Sequence, residues 1–376
     1  MTLGKKIVLM LMAIIATSIA AAVIYFTSAL HYSTSEFKKT FKEIDTGVKS
    51  TAIEHTEPFS ILLMGVDTGS GDRMDPWAGN SDSMIVVTVN PKTKRTTMTS
   101  LERDILTTLT GPKESGMNGV EAKLNAAYAS GEAQMAIMTV ENLLDIKIDN
   151  YMQINMQGLV DLVNAVGGIK VTNPFDFDIS IEEQEPQYTA TVAPGTHKVN
   201  GDQALVFSRM RYQDPEGDYG RQRRQREVIS LIVKKLLAFD SIGSYKKVLK
   251  AVSNNMQTDI SVTEKTIPHL LGYRDSLETL ENYQLHGEDA TLEDGGSYQI
   301  VTTAHLLETQ NRIKAELGLP TLSTLEKTNA VLYETLYGYS PETDYPDENA
   351  PQTHSTVNGF ESSSSESTVA SDETWE

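Results

Sequence analysis

Ser60-Ile-Leu-Leu-Met-Gly-Val-Asp67 is an apolar run of strand length that ends in a carboxylate and opens into a loop carrying Gly69, Gly71 and Gly79. That is the pattern of a buried strand and its exit. Met84 to Val89 repeats it, the polar turn Asn90-Pro-Lys-Thr-Lys94 follows, and Thr96 to Leu101 reads as a third strand rich in threonine. Helical spacing then runs from Val120 to Leu144 with an interruption near Gly131. Ile148 to Ile154 reads as a strand, Met156 to Val166 as a helix closed by Gly167-Gly168, and Ile169 to Thr172 as another strand. Helices from about Arg221 to Asn254 and from His305 to Leu317 are placed to cover the sheet. Strands that alternate with helices predict an α/β class: a single layered domain with a central mixed β-sheet flanked by helices.

This folded unit spans residues 58–325 of a 376-residue chain. Ahead of it, Ile7 to Leu30 carries no charge and is long enough to cross a bilayer as one helix. Lys5 and Lys6 precede that span, so residues 1–6 are expected in the cytoplasm, and the stalk 31–57 and everything after it outside. A cleaved signal peptide ending at Ala20, Ala21 or Ala22 is the competing reading. An anchor is preferred because the apolar run continues through Phe26. Residues 338–376 turn to Ser, Thr, Glu, Asp and Pro with no lysine or arginine, which predicts a solvated, disordered acidic tail.

A formal net charge of −19 disfavours nucleic-acid binding, which depends on cations displacing counterions from phosphates. The absence of cysteine excludes disulfides, thiolate metal sites and a cysteine nucleophile. The seven histidines are scattered without a metal-type pair.

Against this acidic background one segment, Ser208 to Glu227, holds Arg209, Arg211, Arg221, Arg223, Arg224 and Arg226. Guanidinium groups match phosphate oxygens with forked hydrogen bonds and never lose their charge. The helix that begins near Asp218 has an apolar stripe of Val228, Ile229, Ile232 and Leu236, and helical spacing puts Gln225 and Arg221 at its head. An inward polar pair at a helix amino terminus suits an anion. Arg223, Arg224 and Arg226 read instead as a solvated basic face. Asp67 and Asp82 flank the first loop, and paired aspartates without histidine or cysteine suit a hard cation such as magnesium, although loop aspartates are also ordinary turn residues. Glu102-Arg103-Asp104 closes the third strand and points Arg103 toward the same mouth.

Together the motifs SILLMGVDTG, NSDSMIVVTVNPKT, SLERD, KLNAAYASG, INMQGLVDLVNAVGGI and RMRYQDPEGDYGRQRRQ resemble the LytR-CpsA-Psr family of Gram-positive bacteria, over the anchor and nearly all of Phe59 to Leu319. The resemblance implies an α/β enzyme that takes a glycopolymer from a polyprenyl-pyrophosphate carrier and joins it to peptidoglycan through a phosphodiester. The polymer would be wall teichoic acid, capsular polysaccharide or a relative, with consequences for wall and biofilm integrity. It implies that Asp67 and Asp82 hold Mg2+ (or Mn2+) against the pyrophosphate. Arg103, Arg209, Arg211 and Arg221 would then bind its oxygens, with Asp218 and Gln225 arranging that shell. Many members have arginine where this chain has Asn80, and Arg73 in the same loop is a candidate substitute. Phosphoryl transfer needs mainly alignment and charge neutralisation, so a serine-histidine pair is not required. Asp104 is a candidate for the group that takes the hydroxyl proton. Three alternatives are a pyrophosphatase that uses the same site with water as the acceptor, a membrane-bound transcriptional regulator, and a wall-polymer binding module without turnover. The acidic balance, the exported topology and the lack of a basic recognition helix argue against the regulator.

Overall fold

The computed structural model describes residues 39–44, 50–67, 75, 77–239, 242–261, 266–342 and 345. The expected span 7–30, most of the stalk, Arg73 and the tail beyond 345 lie outside the described residues. Among the described residues, no helix is long and apolar enough to cross a membrane.

A six-stranded sheet forms the centre, in the order β10-β3-β2-β1-β6-β9. Its strands are β1 (Phe59–Asp67), β2 (Asn80–Asn90), β3 (Arg95–Leu101), β6 (Asn150–Asn155), β9 (Met256–Thr258) and β10 (Leu280–Leu285). β1 runs antiparallel to β2 and parallel to β6, and β3 runs antiparallel to β2 and parallel to β10, so the sheet is mixed. Smaller ladders are β4 (Leu106–Thr108) with β5 (Glu121–Lys123), β7 (Ile169–Asn173) with β8 (Gly195–Val199), and β11 (Glu288–Thr291) with β12 (Ser297–Ile300). The helices are α1 (Ala126–Leu144), α2 (Met156–Ala165), α3 (Gly201–Arg209), α4 (Gly217–Leu237), α5 (Ile242–Val252) and α6 (Thr303–Glu316), with a few single turns besides.

Period-2 alternation sorts the central strands onto two faces. Leu62, Met64, Val66, Met84 and Val86 pack with Val140 of α1 and Leu306 and Ile313 of α6. Phe59, Ile85, Val87, Val89 and Met98 face the other way, where Ile229 of α4 meets them. A third cluster joins α2, α3 and α4 to the β7-β8 ribbon through Val163, Val171, Val199, Phe207, Val228 and Ile232. Burial of this apolar area is the main stabilising term.

α1 breaks where Gly131 and Glu132 leave helical geometry, at the predicted interruption. It starts at Ala126 rather than Val120, because residues 121–123 pair with β4 instead of winding. The helix expected from Arg221 to Asn254 is two, α4 and α5. α3 was not legible as a helix; its start is set by a capping box between Asn200 and Gln203. It crosses α2 so closely that a Cβ on Gly201 would lie 2.3 Å from the Val160 carbonyl oxygen. Packing also continues past Leu325, through bridges from Thr107 to Ala330 and from Val301 to Leu332.

Candidate functional site

The site lies at the end of the sheet where β1 finishes and β2 begins. Asp67 pairs with Asn80 across the ladder, and the register shifts at Gly65 and Val66 opposite Ser81 to Ser83, so Asp82 is the extra residue of a bulge. Bulges re-aim side chains, and this one leaves Asp82 at the same sheet end as Asp67. Gly65 permits the approach, since a Cβ there would come within 3.1 Å of the Ser83 Cβ.

Two arginines approach these carboxylates, and two more gather round Asp218 beside them. Arg103, in the turn after β3, donates to Asp82 Oδ1 at 3.0 Å, and its Nε lies 3.6 Å from Asp104. Arg221, in the first turns of α4, donates to the Asp82 carbonyl oxygen at 3.2 Å and to Asp218 at 2.9 Å. Arg211 approaches Asp218 at 3.2 Å. Arg209, the last residue of α3, lies 3.9 Å from Asp67. Asp218 therefore ties together two arginines from separate elements. Burial alone would push its carboxyl up, but the Arg221 charge, a hydrogen bond with Glu102 and the Arg103 charge outweigh it and hold Asp218 below its ordinary range. Gln225 is half-buried one turn below Arg221, and both its Oε1 and Arg221 Nε are buried without a hydrogen-bond partner among the described residues. Unspent polar atoms in such a place are available to a ligand.

Beyond Arg209 and Arg211 the site opens into a cleft lined by Ile181, Gln184, Glu185, Met210 and Tyr212. Glu185 pairs with Arg209 at 2.7 Å, and the Tyr188 ring lies under the Arg209 guanidinium with its centroid 5.7 Å away. Burial raises the Glu185 carboxyl from its ordinary range, against the lowering effect of Arg209. Neither Glu185 nor Tyr188 was marked by the sequence, where they sit in an irregular acidic stretch. Asn80 is exposed at the mouth.

Two of the remaining arginines depart from expectation. Arg224 and Arg226 are buried, not solvated. Arg224 binds the carbonyl oxygens of Phe207 and Met210 and pairs with Asp214. Arg226 donates to Ser100 Oγ at 2.7 Å and to Gln284 Oε1 at 3.3 Å. The stripe rule assumed one dry face, whereas α4 is wedged between the sheet and the β7-β8 ribbon. Arg223 is the only one of the three with the expected half-exposed side chain, paired with Glu216.

Asp67 and Asp82 offer carboxylate oxygens, the donors a hard divalent cation prefers. No cluster of three or more histidine, aspartate or glutamate side chains suited to a metal occurs among the described residues. A cation held by these two aspartates would therefore take its other ligands from water and substrate oxygens, the usual habit of magnesium at phosphate sites.

A family model, the LytR_cpsA_psr family, matches residues 24–315. The chain is 63% identical over 340 residues to biofilm regulatory protein A of Streptococcus mutans, covering 90% of this chain and 83% of that protein. It is 42% identical over 321 residues to the polyisoprenyl-teichoic acid–peptidoglycan teichoic acid transferase TagU of Enterococcus faecalis, covering 85% of this chain and 99% of that one. A crystal structure of a Streptococcus agalactiae protein superposes with a TM-score of 0.75 at 70% identity, over 77% of this chain and 97% of that one. With its mixed sheet, its paired aspartates and its convergent arginines, this chain belongs to the LytR-CpsA-Psr family.

Proposed function

We propose that the protein transfers an anionic glycopolymer, such as wall teichoic acid or capsular polysaccharide, from a polyprenyl-pyrophosphate carrier to peptidoglycan. The observation that carries this reading is the meeting of Arg103, Arg209 and Arg221 with Asp67 and Asp82 at one sheet end, with Arg211 joined to Arg221 through Asp218. A site so rich in guanidinium groups, in a chain of net charge −19, is matched to a compact polyanion. The likeness to a transferase named for polyisoprenyl-linked teichoic acid and peptidoglycan supplies the substrate class. Anchoring by residues 7–30 would hold the domain outside the cell, beside a lipid-linked donor.

In this mechanism a peptidoglycan hydroxyl oxygen attacks the phosphorus that bears the polymer. The bond from that phosphorus to the bridging oxygen breaks, polyprenyl phosphate departs with the electron pair, and the hydroxyl proton is given up to solvent. Arg221 and Arg103 sit where they stabilise charge on the transferring phosphoryl group, and Arg209 and Arg211 face the cleft side. Asp218 keeps Arg211 and Arg221 in register before substrate arrives, so little reorganisation is needed. Asp67 and Asp82 would hold Mg2+ (or Mn2+), which when bound supplies further neutralisation of the phosphate oxygens.

The test is a reconstitution with lipid-pyrophosphate-linked polymer, magnesium and peptidoglycan oligomers, followed by mass analysis. Polymer joined to the oligomer by a phosphodiester, with release of polyprenyl phosphate, is expected. Free polymer phosphate without a joined product would instead identify a pyrophosphatase.

A further inference from the structure

Glu102, the residue before Arg103, lies beneath the arginine cradle at 1% exposure. Its carboxyl adjoins that of Asp218, whose Oδ1 is buried without a hydrogen-bond donor among the described residues, and the amides of Gln284 and Gln222 link the two. Two carboxyl groups at such a contact share a proton, because both cannot ionise side by side in a buried place.

Donor and acceptor directions decide where the proton sits. Arg226 has only donors, and its Nη1 and Nη2 both point at Gln284 Oε1, each at 3.3 Å. Gln284 must therefore present its amide nitrogen on the other side, where it donates to Glu102 Oε1 at 3.3 Å and to Gln222 Oε1 at 3.1 Å. Gln222 then donates to Asp218 Oδ2 at 3.1 Å. Donors thus converge on Asp218 Oδ2, which also receives Arg221 at 2.9 Å, while the Arg211 charge lies 3.2 Å from Oδ1. Asp218 is the ionised end of the pair. Glu102 meets a single amide donor among the described residues and is the natural holder of the proton.

The charged surroundings agree. Facing Glu102 are Asp218, Arg221 and Tyr219 from α4 and Asp104 from its own turn, with the Arg226–Gln284 pair behind it. Burial first, and the Asp218 charge second, hold the Glu102 carboxyl well above the ordinary carboxylate range, with Arg221 opposing.

We infer that Glu102 is a positioning residue: its carboxylic acid O–H holds Asp218 in place against Arg221 and Arg211, and its neutrality keeps the cradle one unit more positive for a diphosphate. The identity of that anion rests on the transferase reading, whereas the placement of the proton does not.

The experiment uses the full chain, its Glu102→Gln variant and its Glu102→Ala variant. Gln keeps a donor toward Asp218 and is permanently neutral; Ala removes the donor. Infrared difference spectroscopy at pH 7 should show the carbonyl band of a protonated carboxylic acid in the parent chain and not in Glu102→Gln. Magnesium pyrophosphate binding, measured calorimetrically, should stay within about threefold in Glu102→Gln and weaken by about tenfold or more in Glu102→Ala, the loss expected when a buried acceptor forfeits its partner. Raising the pH should weaken binding to the parent chain before it weakens binding to Glu102→Gln. A missing infrared band, a Gln variant that binds tenfold worse at unchanged melting temperature, or an Ala variant that binds like the parent would each overturn the inference. A parent chain that shows the band but ignores magnesium pyrophosphate would count against the transferase reading while upholding the proton on Glu102.

Discussion

Arg103 and Asp82 are joined by a 3.0 Å hydrogen bond across 21 residues of sequence, and this bond is what couples the turn after β3 to the bulge at the start of β2. Both side chains are about four-fifths buried, so the pair is shielded more than a surface ion pair. It places a guanidinium and a carboxylate side by side, where the proposed mechanism needs a phosphate-binding cation next to a metal-holding carboxylate.

Arg103→Lys should therefore be much worse than a conservative change suggests. Lysine keeps the charge but cannot hold Asp82 and a phosphate oxygen with one planar fork. Transfer should fall by about 10²-fold, the usual scale for loss of one electrostatic stabiliser. Melting within a few degrees of the parent, with kcat/KM measured on lipid-linked donor, checks this; transfer near the parent rate would remove Arg103 from the machinery.

The sequence announced this pair only halfway. Period-2 patterning placed Asp67, Asp82 and Arg103 near strand ends, and Arg221 at the head of a helix, because burial alternation is a local property of the chain. The bulge that re-aims Asp82 is a register event between two strands, invisible until they are paired. Arg224 and Arg226 misled for the opposite reason. Charge normally signals solvent, and only tertiary packing provides the carbonyl oxygens of Phe207 and Met210, or the Ser100 hydroxyl, that make a buried guanidinium tolerable. The strands after residue 190 are three to six residues long and half polar, too short for a pattern to declare itself.

His305 gives the protein an acid-side weakness unrelated to the site's aspartates. Burial first, then the neighbouring His286, lower its pKa to about 4, and its Nε2 lies 3.2 Å from the Gln284 carbonyl oxygen. Between pH 4 and about 6.5 the unfolded chain binds a proton there and the folded chain does not. Stability is thus fully present above about pH 6.5 and falls as the pH drops toward 4, by up to about 3 kcal/mol from this group. Urea unfolding from pH 7 to 4.5 should show that loss, and His305→Gln should flatten it; an equal slope in both proteins would refute the assignment.

Asp218→Asn tests the anchor of the cradle. The asparagine keeps the shape but loses the charge that holds Arg211 at 3.2 Å and Arg221 at 2.9 Å. Arg221 would then be a buried cation without its main partner, and a destabilisation of about 3 kcal/mol follows. Magnesium pyrophosphate should restore part of that loss, because a bound anion stabilises the folded state by mass action. A thermal shift with the ligand that is larger in Asp218→Asn than in the parent chain is the expected result, and equal shifts would argue that Asp218 does not organise these arginines.

Gly220 lies between Asp218 and Arg221, and a Cβ added there would fall 1.9 Å from Asp214 Oδ2. Asp214 pairs with Arg224, and both are buried, so any side chain at position 220 must push the carboxylate off its guanidinium. Arg224→Met breaks the same pair from the other side and should cost about 3–5 kcal/mol, the usual price of a buried charge left alone. Gly220→Ala should cost a similar amount, and the two substitutions together should cost much less than their sum, because each removes what the other has already broken. Arg224→Met with Asp214→Leu should recover part of the stability, since an apolar pair leaves no charge stranded. Denaturant midpoints for the single and double variants decide the matter: additive losses would mean that Gly220 is required by the helix backbone alone, and not by the seat it leaves for Asp214 beneath the arginine cradle.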